Sequence, residues 1–163
     1  MRFIKTYKLF ESSSEEEEII NYLKDIFLEI EDKDIDVNIV KDYSTYREVT
    51  SSTKSDVGGT REVKKLNKIV VEIGLNRGRA QSQGIKPVPT FLLEDVYETI
   101  LTTKSYMSDE GFFLSNIKVD SRDTRNRFHS VQYRYDLFDM RNSPNYKMIT
   151  RPIVHLELEF KKI

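Results

Sequence analysis

The chain contains no cysteine and no tryptophan, and among its 163 residues there are only four prolines and six glycines. Without cysteine there is no disulfide, no thiolate nucleophile and no cysteine-ligated zinc site. No apolar run approaches the ~18 residues of a membrane span, and no charged, apolar and small-residue succession of a secretory signal opens the sequence. A soluble, non-secreted protein with no membrane partner is the expectation. Glycine-rich phosphate loops of the Walker or dinucleotide type are also missing.

What remains is enough for one core. Hydrophobic residues make up 38% of the chain, with nine Tyr and nine Phe, and a chain of this length supports a single domain. Net charge is −1, unevenly spread. Residues 1–40 carry five Lys or Arg against eleven Asp or Glu, and the rest carries twenty-one against sixteen. Such asymmetry orients a partner or a self-association.

The clearest folding signal lies in residues 14–40. Ile19, Ile20, Leu23, Ile26, Phe27 and Ile30 recur every three or four residues, which predicts an amphipathic helix over residues 14–30. Ser14 with Glu17 reads as a capping box at its start, and the acidic run from Glu15 to Glu18 suits the outward-pointing amides of a helix N-terminus. Ile35, Val37 and Ile39 then alternate with Asp36 and Asn38 as a half-buried strand does. Residues 41–65 are Ser/Thr-rich with Gly58 and Gly59, so they read as a long connection or a projecting hairpin. Ile69, Val71, Ile73 and Leu75 predict a second strand, residues 76–89 a loop, and Thr90 caps a second helix over residues 91–107.

Phe112 to Val119 predicts a third strand after the Gly111 turn. Residues 129–137 alternate as a fourth, residues 139–151 as a loop, and Val154, Leu156, Leu158 and Phe160 mark a fifth. The order is α-β-β-α-β-β-β. Two helices on one face of a mostly antiparallel sheet of about five strands, an α+β two-layer sandwich, buries both helical stripes. The second helix and the strand after it echo the first pair, suggesting two α-β-β halves in one sheet.

Residues 1–13 precede the capped helix and read as a docking or targeting segment, with Phe3, Tyr7 and Phe10 as its partner-binding side chains. The stretch from Lys5 to Glu11, KTYKLFE, resembles the opening segments of internal and capsid-associated proteins of large tailed bacteriophages. Leu9-Phe10-Glu11 is similar to the Leu-x-Glu pattern cut by their prohead proteases, which implies removal of residues 1–11 if the site is used. LKDIFLEIEDKDIDVNI, from Leu23 to Ile39, resembles a helix-strand pattern in small proteins of marine and Bacteroidetes phages, where Gly-Phe stands in place of Asp34-Ile35. The resemblance implies a phage protein, in the virion or the host cytoplasm, whose partners are other phage proteins or itself.

Catalytic and metal patterns are thin. His129 and His155 invite comparison with two-histidine phosphoesterases, but the hydroxyl residue expected two positions later is Val131 and Glu157. Alternation also sends the two rings to opposite sides of a shared sheet. Asp32, Asp34 and Asp36 begin like a calcium loop, yet Val37 and Tyr43 occupy the places of its Gly and Glu. His155, Glu157 and Glu159 share a strand face, as alternating polar residues do without a metal. The expectation is therefore a non-enzymatic protein with no cofactor and no metal.

The basic loops carry the alternative. Arg77, Arg79 and Lys86 in one loop, and Arg122, Arg125 and Arg127 in another, have the chemistry to grip nucleic-acid phosphates, with Tyr133, Tyr135 and Tyr146 available for stacking. Whether both loops lie at one end of the sheet decides whether they form one patch. The readings are thus a virion or capsid-associated binding component, a nucleic-acid-binding accessory protein, or an inhibitor of a host defence enzyme.

Overall fold

The first helix, α1, runs from Arg2 to Glu31, so the chain is already helical twelve residues before Ser14. The structure, a computed structural model, describes residues 2–50, 59–75, 77–85, 88–122, 125, 127–133 and 151–163. Ser14 therefore sits inside a helix and the capping box is unused. A cap works only where the chain leaves helical geometry, and residues 2–13 hold neither Pro nor Gly to make it do so. The expected stripe is real: Ile19, Leu23, Phe27 and Ile30 are buried, and Ile20 and Ile26 pack partly against the same core. Asp34, in the left-handed region at φ 59°, turns the chain out of the helix, a conformation that Asp tolerates.

Strand β1, Val37–Thr50, pairs antiparallel with β2, Gly59–Ile73, from end to end. Of the two readings of residues 41–65, the projecting hairpin is the observed one. β2 meets its other neighbour only between Lys68 and Ile73, so the rest of the hairpin extends past the sheet. A short helix, α2, Arg77–Ser82, interrupts the stretch read as loop. The second long helix, α3, spans Leu93–Asp109. Thr90 does not cap it, because Phe91 is held extended by a bridge to Ile153, with N···O distances of 2.9 and 2.7 Å. The cap is Leu92, whose N–H donates to the Asp95 carboxylate at 2.9 Å.

Strands β3, Phe112–Arg122, β4, Phe128–Tyr133, and β5, Ile153–Lys162, complete the sheet. The expected fourth strand past Tyr133 and the loop 139–150 lie outside the described residues. The strand order is β1-β2-β5-β3-β4 and every neighbouring pair is antiparallel. The α+β class and the two-layer arrangement are as expected from the sequence. The last strand enters between the two halves, joining hairpin β1–β2 to hairpin β3–β4.

One sheet face carries the core. Leu66, Ile69, Val71 and Ile73 of β2, Phe112, Ile117 and Val119 of β3, and Leu156, Leu158 and Phe160 of β5 meet the α1 stripe and Val96, Tyr97, Ile100 and Met107 of α3. Tyr22 and Tyr106 close the outer seam between the helices, ring centroids 4.1 Å apart. Burial, with Glu110, Tyr22 and Glu18 nearby, raises the Tyr106 hydroxyl pKa. The other face is polar and laced with ion pairs. Lys68 reaches Asp42 at 3.3 Å and Glu159 at 3.6 Å, and Lys161 reaches Glu159 at 3.2 Å. The Asp42 hydrogen bond outweighs partial burial and raises the Lys68 pKa. Partial burial alone would raise Glu159, but the Ser115 hydroxyl and the two lysines hold its carboxyl below the usual range.

Candidate functional site

Because β2 and β3 both run antiparallel to β5, they run parallel to each other, and the chain leaves both at the same end. That end is also where β4 and β5 begin. The loop carrying α2 and the turn after β3 therefore sit at one end of the sheet, with only the width of β5 between their parent strands, about 10 Å. Arg79 projects from α2, exposed. Arg122 closes β3, its N–H donating to the Pro152 carbonyl at 2.9 Å, while Arg125 and Arg127 stand exposed in the turn. Arg151, not singled out from the sequence, precedes β5 at the same end. Arg77 opens α2; Lys86 lies outside the described residues. The topology thus brings the two basic loops together.

Of the candidate stacking partners, Tyr133 does not follow. Tyr133 ends β4 opposite Ile117, about 17 Å along the strand from Phe128 at the arginine end, and Tyr135 and Tyr146 lie outside the described residues. Phe3, Tyr7 and Phe10 belong to the first turns of α1. Their side chains lie outside the described part of the structure.

Beneath the arginines runs a charged ladder that the sequence did not announce. His155 is 3% exposed, on the sheet face away from the helices. Its Nδ1 lies 3.5 Å from Asp120 Oδ2 on β3, and its Nε2 lies 3.8 Å from Glu72 Oε1 on β2. Neither nitrogen completes a hydrogen bond at these separations. Both face carboxylate oxygens. Arg79 Nη1 approaches Glu72 Oε2 at 4.0 Å, and Lys118 Nζ approaches Asp120 at 3.9 Å. The Asn38 amide donates to Glu72 at 2.6 Å. His155 chiefly, aided by Ser130 and Lys118 against the opposing effect of burial, holds the Asp120 carboxyl below its ordinary range.

This ladder is a clasp. The two acids lie on opposite sides of the ring, so one ion cannot contact a single ring nitrogen and both carboxylates. Among the described residues no group of three or more His, Asp or Glu side chains is arranged to hold a metal ion. His129 pairs with Ser121, one step along from the Ser130–Asp120–His155 row, so it belongs to the other face of the sheet. The two histidines do not converge.

No protein family, no characterised protein and no solved structure matches the chain. Function therefore has to be argued from the site itself. Glu72 and Asp120 are engaged by His155, Arg79 and Lys118, and Arg122, Arg125, Arg127 and Arg151 lie at the same end of the sheet. Among the described residues no helix is long and apolar enough to cross a membrane.

Proposed function

We propose that the protein acts by binding another macromolecule, with no catalysis of its own, and that its arginine-bearing end takes nucleic acid. The observation that carries this reading is the convergence of the β2–α2 and β3–β4 connections at one end of the sheet, with Arg79, Arg122, Arg125 and Arg127 distributed over them. The parent strands of the two loops are about 10 Å apart, so guanidinium groups carried on separate loops suit the spaced phosphates of a polyanion better than a single small anion. A role as an accessory protein of a tailed bacteriophage, in the host cytoplasm or the virion, rests on the resemblance of residues 5–11 and 23–39.

Binding to short single- and double-stranded DNA should weaken steeply as salt rises. The triple variant Arg79→Ala, Arg125→Ala, Arg127→Ala should bind more weakly to every sequence and lower the slope of log affinity against log salt by roughly 3. Absent or salt-insensitive binding ends this reading.

A virion component held by protein contacts is the second reading, favoured by the β1–β2 hairpin, which extends past the sheet and touches α1 at Glu16. An isolated two-stranded ribbon is marginal in water and gains most from a partner. Mass spectrometry of purified particles should then find the protein; its absence from them rules this out.

A further inference from the structure

The outer edge of β1 is long and, among the described residues, unpaired. Strand edges of this kind are templates for another strand. Here the edge also carries apolar side chains among its polar ones: of the exposed large hydrophobic side chains, Val40 at 42%, Tyr43 at 38% and Tyr46 at 46% lie on β1, and Leu28 at 51% stands on α1 beside it. Between α1 and β1 lies a cleft of about 370 Å³, walled by Phe27, Leu28 and Ile39 and bordered by Asp25 and Glu31. The bulge in the hairpin puts its extra residue, Asn67, on β2, so alternation along β1 is unbroken.

We propose that the occupant of this edge is a second copy of the chain, its β1 running antiparallel to the first about a two-fold axis through Tyr43, so that two sheets join into one of ten strands. Residues directly opposite in such a pair share a face. The axis sets Tyr43 against its own copy and Val40 against Tyr46, twice. Arg47, which pairs with Glu62 of its own chain at 3.9 Å, falls opposite Ile39, next to the cleft bordered by Lys24, Asp25 and Glu31. Lys41 meets Thr45, and Asp42 meets Ser44. No like charges oppose one another. Moving the axis one residue either way puts Asp42 against itself or Lys41 against Arg47, which is destabilising. The self-matching of the strip is what distinguishes a second copy from an unrelated extended peptide, for which none of this symmetry is required. The inference is independent of the nucleic-acid reading, since it uses a different edge of the sheet.

The absence of native cysteine makes the test direct. Sedimentation equilibrium of the full chain should give twice the 19.2 kDa chain mass, and Val40→Asp, at an exposed site, should return the monomer. Tyr43→Cys should oxidise to a covalent dimer at least about tenfold faster than the equally exposed control Leu92→Cys, because the axis holds the two Cβ atoms roughly 4.5–5.5 Å apart, near disulfide reach. A monomer at all concentrations overturns the proposal. So does a dimer in which Tyr43→Cys cross-links no faster than Leu92→Cys.

Discussion

Gly74→Ala should lower the unfolding free energy by about 2–5 kcal/mol, combining left-handed strain with overpacking. Gly74 sits where β2 leaves the sheet, at φ 82°. Its N–H donates to the Asp36 carbonyl at 2.7 Å, tying β2 to the start of β1. A Cβ there would strike the Val154 carbonyl oxygen and the Phe91 ring. Neither neighbour is free to yield: Val154 follows Ile153, which exchanges two backbone hydrogen bonds with Phe91. The backbone strain alone costs about 1–2 kcal/mol for an L side chain in this region, and the forced shift of a packed neighbour adds about 1–3 kcal/mol. Gly84→Ala and Gly111→Ala are the controls. Both have positive φ, 67° and 79°, but open space around the added methyl, so they should lose only the strain. Urea unfolding of the three variants checks the argument. Equal losses at all three positions would show that the close approach at Gly74 contributes nothing.

The same corner explains why the site was only half legible in the sequence. Alternation along β5 announces which of its side chains share a face, and Leu156, Leu158 and Phe160 do face the core as it says. Alternation does not say which strand lies alongside. That β5 enters between β2 and β3 depends on how the two hairpins meet, and both the joining of the arginine loops and the convergence of Glu72, His155 and Asp120 follow from it alone. The sequence marked Arg77, Arg79, Arg122, Arg125 and Arg127 as basic loops. It offered no local signal that His155, in the run from Ile153 to Phe160, would be buried between acids from two other strands. Element ends went wrong where a local motif competed with a longer-range contact. Ser14 and Glu17 form a good capping sequence, but residues 2–13 contain nothing to stop a helix. Thr90 is a good cap, but the bridge from Phe91 to Ile153 keeps the chain extended for two more residues. The hairpin arm was legible as one of two options because a polar, turn-rich stretch fits either.

His155→Leu should destabilise the protein by about 1–3 kcal/mol above the ordinary carboxylate range, the cost of leaving a partly buried polar group without its partner. The Glu72 and Asp120 side chains keep 18% and 25% exposure, so water still screens them in part. Leucine fills similar space, so the loss is electrostatic: two carboxylates from β2 and β3 are left facing one another across an apolar group. The pH dependence separates this from a packing defect. Since His155 is the main reason the Asp120 carboxyl is depressed, the stabilisation it gives is present above the ordinary carboxylate range and is lost as pH falls through the lower folded-state value. The variant lacks this contribution at every pH. The gap between wild type and His155→Leu should therefore be larger above the ordinary carboxylate range than below about pH 4, where the carboxylates take up protons in the unfolded chain and then in the folded variant. Urea unfolding across that range reads the gap directly. A gap that stays constant would mean that His155 acts by packing alone, and the clasp that fastens the arginine loop to the sheet would have to be abandoned.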